Sequence, residues 1–264
     1  IILPTNVEGK NYSIHYMKIN FPQTYEYFLK FKQDLEQRSL YKLAGKDKIW
    51  FGIHVNIGKF TFAPYKVVWK YIAGKISGKA EFSTAVLEPV NDKFVGKKPI
   101  IPNEKLMLIP LDNKNEAYYV SGVLNSSPAE LLVASYVIET AISTHILNKI
   151  KIPKFNPKNP LHQKLSQLSK KAHEIAKKIY EENREDLKED LKKIEGEIDK
   201  TVAELYGITH DELKEIKKCL IILKEGEILE EEEENEMGVS DLFCSDDCND
   251  DERMFPFRKD SGMI

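Results

Sequence analysis

The sequence of 264 residues predicts an α+β fold that is followed by a helical hairpin and an acidic tail. Three observations lead to this prediction. In the first part, runs of β-branched and aromatic residues alternate with Gly, Pro and Asn. After residue 160, apolar residues recur at spacings of three and four. The end of the sequence is acidic and poor in apolar residues. We therefore expect an α+β domain with a mixed sheet over residues 1–158, a helical hairpin with a closing helix over 159–224, and a disordered acidic tail over 225–264.

The first part begins with a predicted helix over residues 23–39, since Tyr25, Phe28 and Leu35 lie on one helical face after Pro22. Short runs rich in β-branched and aromatic residues then predict strands at 49–53, 66–72, 82–87 and 105–109. Further helices are expected at 116–125 and, after Pro128, at 129–137. Residues 138–147 are ambiguous because polar groups interrupt an apolar run, and 150–153 form a short extended exit.

Asn-Pro pairs at 156–157 and 159–160 mark a boundary. Two apolar seams with heptad-like spacing follow, at 161–179 and 187–205, and the charged break between them favours a hairpin over one long rod. Thr209 and Glu212 form a capping box for a third helix that ends near residue 223.

The net charge of −3 hides three different parts. Residues 1–158 carry 22 basic and 13 acidic side chains, a net charge of +9. Residues 159–224 are neutral, with 14 of each, and residues 225–264 carry 3 basic and 15 acidic side chains, a net charge of −12. A basic body suits a polyanionic partner, and the acidic tail could fold back on it as a mimic of DNA, although a solvated terminus is the simpler interpretation.

The sequence has no apolar window of about 18 residues and no secretory signal, so we expect a cytoplasmic protein with no membrane partner. Three cysteines do not make a disulfide framework. The first residue is not Met, from which we expect a fragment or a processed product.

Catalytic motifs are not found in the sequence. It has no glycine-rich phosphate loop and no Gly-x-Ser-x-Gly elbow, and its six histidines are dispersed. Cys244 and Cys248 are more simply explained as part of the acidic tail than as a metal site, so we expect no metal ligands and no catalytic residues. The chain is therefore a poor enzyme candidate on its own residues, and a binding surface is the better hypothesis.

The first candidate surface is a basic segment with interleaved aromatic residues. Its members are Lys66, Trp69, Lys70, Lys75 and Lys79. Lysines neutralise phosphates and aromatic rings stack on bases, so the segment suits nucleic acid. The alternative is that Trp69 belongs to the core and that the lysines form a solvated face.

The second candidate is the segment 140–145, with the hydroxyls of Ser143 and Thr144 and the imidazole of His145. Such groups contact phosphates or base edges. The alternative is local, with a hydroxyl that caps a helix and a histidine that is hydrogen-bonded in the core.

Several ordered motifs resemble the C-terminal target-recognition region of adenine-specific DNA methyltransferases of restriction–modification systems, of the type IIG kind. The likeness spans residues 12–222 and rests on the motifs at 21–38, 66–70, 99–106, 118–126, 143–145, 150–155 and 203–209. The resemblance implies sequence-specific recognition of double-stranded DNA and adds Lys151, in the motif at 150–155, to the expected DNA contacts.

In that family a separate catalytic part binds S-adenosylmethionine, flips the adenine and methylates its N6 amine at an Asn/Asp-Pro-Pro-aromatic motif. That motif is not in this sequence, so we expect no cofactor in this chain and leave independent enzyme activity open. The expected partners are double-stranded DNA and a methyltransferase or restriction domain or subunit. The alternative function is a protein-interaction module, similar to a specificity subunit, that docks a partner through its helical hairpin.

Overall fold

A computed structural model describes residues 2–43, 49–52, 56–72, 75–76, 79–80, 82–136 and 141–225, with the backbone alone at 75–76, 79–80 and 224–225. The helices are α1 (Ile14–Asn20), α2 (Pro22–Leu29), α3 (Lys32–Gln37), α4 (Ser39–Leu43), α5 (Lys59–Phe62), α6 (Lys114–Leu124), α7 (Ser127–Tyr136), α8 (Thr144–Leu147), α9 (Pro160–Glu182), α10 (Lys188–Tyr206) and α11 (His210–Glu225). The strands are β1 (Tyr65–Lys70), β2 (Lys75–Ile76), β3 (Lys79–Ala80), β4 (Ala85–Leu87), β5 (Val90–Asp92), β6 (Gly96–Lys98) and β7 (Leu106–Leu111). The predicted α+β class is confirmed.

The strands of the described residues form three small sheets instead of one mixed sheet. β1 is the central strand of a sheet with the order β4–β1–β7, and it pairs with β4 in antiparallel orientation. β2 with β3, and β5 with β6, form separate antiparallel pairs. The predicted strands at 66–72, 82–87 and 105–109 correspond to β1, β4 and β7, while the β5–β6 pair was not predicted.

The chain divides into two compact units. The first consists of Ile1–Tyr65, Glu88–Ile101 and Ile109–Asp112. The second consists of Lys66–Leu87, Pro102–Leu108 and the described residues from Asn113 onward. This division does not follow the predicted boundary at residue 158, because the helices before and after that boundary share one core.

The first unit is built on an aromatic core of Met17, Tyr25, Trp50 and Phe51, all of which are buried. Tyr25 makes edge contacts with Trp50 and Phe51 at ring centroid distances of 6.0 and 6.3 Å. The strand predicted at 49–53 is wrong for its described residues, because 49–52 form a turn in which the Gly52 N–H donates to the Ile49 carbonyl at 2.8 Å.

The single helix predicted at 23–39 is divided into α2, α3 and the start of α4. Arg38 interrupts it with an extended backbone (ψ 136°). Its guanidinium donates to the carbonyls of Leu35, Trp50 and Gly52 at 3.0–3.1 Å. These hydrogen bonds attach the helical segment to the aromatic turn and explain why the helix does not continue.

The second unit is built mainly from α6, α9 and α10. Its core combines Tyr119 and Val123 of α6 with residues of both predicted seams, namely Leu165, Ile194, Ile198 and Val202. Leu168, Ala172, Ile175 and Leu205 pack against this core. The predicted helical hairpin is therefore present, and its two seams bury each other together with one face of α6.

Capping interactions define the helix ends in this region, and the predicted capping box of Thr209 and Glu212 is among them. The side chain of Asn159 accepts from the N–H groups of Leu161 and His162 at the start of α9. At the start of α11, the Thr209 N–H and hydroxyl both donate to the Glu212 carboxylate at 2.7 Å. Gly207 ends α10 with a left-handed backbone (φ 71°), a conformation that favours glycine.

Two predictions fall outside the described residues. The predicted disordered tail (225–264) lies outside from residue 226 onward, which includes Cys244 and Cys248, and the ambiguous segment (138–147) lies outside at 138–140. In the part of the chain that is described, no helix combines the length and apolar character needed to cross a membrane.

Candidate nucleic-acid interface

The two segments that the sequence singles out are joined in the second unit. The Ile142 N–H donates to the Tyr71 carbonyl at 2.7 Å, and Ile72 pairs with Ala141 in an isolated antiparallel bridge. The indole N–H of Trp69 donates to the Ile142 carbonyl at 2.9 Å. Three interactions therefore attach the end of β1 to the residues that lead into α8, and the Trp69 hydrogen bond spans 73 positions of sequence.

We refer to five residues of the joined segments together as the β1–α8 surface, namely Lys70, Tyr71, Ser143, Thr144 and His145. Lys70 and His145 are exposed, and Ser143 and Thr144 are half-buried. Tyr71, directly after β1, is 38% exposed. The surface therefore offers a cation, an aromatic ring, two hydroxyls and an imidazole to a ligand.

Trp69 does not belong to this surface. Its side chain is 2% exposed, and its indole N–H is used by the Ile142 carbonyl. In this conformation the ring cannot stack on a base, so the alternative of a core strand residue describes Trp69 correctly. Its role is to hold the segment before α8 against β1.

Lys66 is buried as well, with only 1% of its surface exposed. It lies opposite Leu87 of β4, on a central strand whose residues 66–69 are all buried. Burial lowers the pKa of Lys66 to about 8, because the charged form loses its hydration. A phosphate contact by this side chain is incompatible with its position, so the prediction for Lys66 is corrected.

The remaining predicted contacts lie elsewhere. Lys75 and Lys79 lie in the paired strands β2 and β3, and their side chains are outside the described atoms. Lys151 is exposed, and its carbonyl accepts from the Tyr206 hydroxyl at 2.9 Å. This bond fixes the backbone of Lys151 and leaves its ammonium group in solvent.

Ser143 occupies the N-cap position of α8, but its hydroxyl makes no capping hydrogen bond. The local alternative, in which this hydroxyl caps the helix, is therefore not supported. His145 is exposed, so the alternative of a histidine in a polar core pocket is not supported either.

Two further exposed residues lie beside or near α8, and the sequence did not reveal them. Lys149, two residues after α8, is exposed, and its ammonium lies 6.0 Å from the centre of the Tyr136 ring. Tyr136 is 49% exposed at the end of α7, which packs against α8. An aromatic residue at a helix end and a lysine in a loop give no periodic signal, so only the packing brings them together.

The motif at 118–126 has a structural role. The hydroxyls of Thr84 and Ser121 lie 2.9 Å apart, and the Asn125 amide donates to the Thr84 carbonyl at 2.9 Å. The Asn125 amide oxygen accepts from the Thr84 N–H at 2.7 Å. This network attaches the segment before β4 to the end of α6.

Two histidines are also used internally. His162 is buried, its Nδ1 accepts from the Asn156 N–H at 3.0 Å, and its ring stacks on Tyr119 at 4.5 Å. Burial lowers the pKa of His162, so the ring is neutral in the folded chain near pH 7. The Nε2 of His173 accepts from the Val86 N–H at 3.1 Å.

Across the described ranges, no group of three or more His, Cys, Asp or Glu residues is arranged to hold a metal ion.

Comparison with protein-family models gave no match. Comparisons with curated proteins and with solved structures gave none either. Function is therefore inferred from the residues of this chain and from their geometry.

Proposed function

We propose that this chain is a cytoplasmic, sequence-specific double-stranded DNA recognition module, which works with an adenine-specific (N6) methyltransferase of a restriction–modification system. The observation that carries the proposal is the joining of β1 to the segment before α8. Hydrogen bonds join two segments with nucleic-acid-binding residue types, and Lys70 of the first and His145 of the second are exposed. The +9 charge of residues 1–158 supports a polyanionic ligand.

The β1–α8 surface has suitable groups for both parts of DNA recognition. Lys70 and Lys149 supply cations for phosphates, which give affinity and dependence on salt. Ser143, Thr144 and His145 supply donors and acceptors, which suit phosphates, sugars or base edges in a groove. S-adenosylmethionine and the methyl transfer belong, in this proposal, to a catalytic domain or subunit that works with the module.

The alternative proposal, a module that docks a partner through the helical hairpin, has less support. Docking by the seams requires apolar positions that are available to a partner. Leu165, Ile194 and Ile198 are instead buried in the core that the hairpin shares with α6.

A test compares Lys70→Ala and His145→Ala with Lys178→Ala in binding to labelled mixed-sequence duplex at low salt. Lys178 is an exposed lysine of α9 outside the β1–α8 surface and serves as the matched control. We expect Lys70→Ala to weaken binding and to reduce the log–log salt slope by about 1, because one phosphate contact is lost. Equal binding by Lys70→Ala, His145→Ala and Lys178→Ala would exclude this surface as the interface.

A further inference from the structure

The β5–β6 hairpin of the first unit carries large apolar side chains at its tip. Phe94 is 83% exposed and Val95 is 68% exposed, although both lie in a well-defined turn. Burying a Phe side chain is worth about 1.5–3 kcal/mol, and the described fold does not use this contribution. The tip is therefore a candidate for contact with a ligand.

The turn is built to hold these side chains in place. One Asp92 carboxylate oxygen accepts from the N–H groups of Phe94 and Val95 at 2.9 and 3.2 Å, and the other accepts from the Lys98 ammonium at 2.8 Å. Gly96 completes the turn with φ 70°. The hydrogen bonds from Lys98 and from the two turn amides lower the pKa of Asp92 to about 2, so this arrangement persists at neutral pH.

The hairpin is also basic. Residues 90–98 contain three lysines and one acidic residue, for a net charge of +2. Lys93 and Lys97 are exposed, and the Lys93 ammonium lies 4.7 Å from the centre of the Phe94 ring. Cations beside a projecting aromatic ring are complementary to a ligand that alternates phosphates with flat apolar bases.

We infer that the β5–β6 hairpin contacts duplex DNA, with Phe94 as a wedge between stacked base pairs and Lys93 and Lys97 on the flanking phosphates. This inference rests on the proposed function, since it assigns a second element to the same ligand. Unstacking a base step costs a few kcal/mol, which is similar to the gain from burying one Phe, so the lysines are needed to favour insertion. An anionic membrane is a poorer fit, because two apolar side chains on a turn bury much less area than an amphipathic helix.

The test measures binding and base stacking separately, with the full chain and a mixed-sequence duplex that contains 2-aminopurine. Phe94→Ala is compared with Tyr180→Ala, since Tyr180 on α9 is also 83% exposed. We expect wild type and Tyr180→Ala to raise the 2-aminopurine fluorescence as they bind. Phe94→Ala should bind roughly tenfold more weakly and give no fluorescence rise at saturation. Lys97→Ala should keep the fluorescence rise and reduce the salt slope by about 1.

The outcomes separate this inference from the proposed function. If Phe94→Ala binds and unstacks DNA like wild type, the hairpin inference is wrong and the DNA-binding proposal stands. If wild type binds no duplex, both are overturned. If Phe94→Ala reduces binding to anionic vesicles and not to DNA, the inference is also contradicted. The same holds if the substitution reduces only the concentration-dependent self-association seen by light scattering. Circular dichroism of Phe94→Ala should match wild type, because the side chain is outside the core.

Discussion

At the scale of single residues, Lys66 and Trp69 show where sequence reasoning is limited. Alternating lysines in a strand pattern suggest one solvated face, and that expectation suits Lys70, which is exposed. It fails for Lys66 because β1 lies between β4 and β7 and is buried on both faces. The neighbours of a strand are set by tertiary pairing, so its sequence alone does not determine which lysine is buried.

Burial of Lys66 leads to a prediction for the dependence of stability on pH. Its pKa falls from 10.5 to about 8 on folding, so the unfolded chain binds this proton more tightly than the folded chain. The resulting destabilisation is present in full below pH 8 and decreases as the pH rises toward 10.5. The unfolding free energy of wild type minus that of Lys66→Met should therefore rise by about 2 kcal/mol from about pH 7 to about pH 9.5.

The measurement is urea unfolding of wild type and Lys66→Met across this range of pH. Lys70→Met is the matched control, because Lys70 is an exposed lysine on the same strand. The difference in unfolding free energy between Lys70→Met and wild type should stay constant over this pH range. A difference for Lys66→Met that is also independent of pH would contradict the shifted pKa.

At the scale of elements, helices with heptad-like seams were predicted well, because a seam and its capping residues are local properties of the sequence. The β5–β6 hairpin was missed, since a run with three lysines and one Asp lacks the β-branched pattern that predicts strands. The spacing of Asp92 and Gly96 around the turn was the available signal. The interruption of the first helix at Arg38 depends on carbonyls 12 and 14 positions away, which no local pattern reveals.

Close packing of α6 on α9 depends on Gly122. A Cβ added there would lie 3.1 Å from the Ser169 Cβ and 3.3 Å from the Leu165 carbonyl oxygen, and both atoms are fixed by the backbone of α9. We expect Gly122→Ala to lose about 1 kcal/mol of unfolding free energy through overpacking.

Gly196 provides the matched control, since it lies inside α10 and an added Cβ there would have no atom within 4 Å beyond the nearby backbone of its own helix. Gly196→Ala should gain about 0.5–1 kcal/mol from higher helix propensity. Urea midpoints of the two variants should therefore shift in opposite directions. A shift of both in the same direction would contradict the packing of α6 on α9.

A buried carboxylate connects three helices of the second unit. Asp199 of α10 accepts from the N–H and hydroxyl of Ser127 at the start of α7, at 2.7 and 2.8 Å. It also pairs with Lys217 of α11 at 2.8 Å. Asp199→Ala should cost about 3 kcal/mol of stability, because a buried polar network loses its centre.

Glu215→Ala is the control for Asp199→Ala. It removes an exposed pair with Lys218 at the same distance of 2.8 Å, and it should cost less than about 1 kcal/mol. Thermal or urea unfolding distinguishes the two variants. Equal losses would mean that the Asp199 network contributes no more than a surface ion pair.

At the scale of the whole molecule, the separation of charge along the chain is the main feature that the sequence alone establishes. The basic character of residues 1–158 favours a polyanionic ligand, and the resemblance led to the proposal that this ligand is double-stranded DNA. The structure adds the joining of β1 to the residues before α8, which arises from long-range hydrogen bonds, one of them across 73 positions. It also adds the exposed Phe94 and Lys149, whose exposure depends on packing and not on spacing.

Random-site selection from a pool of duplexes, with salt titration of the selected duplex, tests the central proposal most directly. We predict enrichment of one sequence motif, and a log–log salt slope of roughly −4 to −5 if about four to six phosphates are neutralised. Selection that enriches no sequence, or binding that does not change with salt, would contradict sequence-specific DNA recognition by this chain.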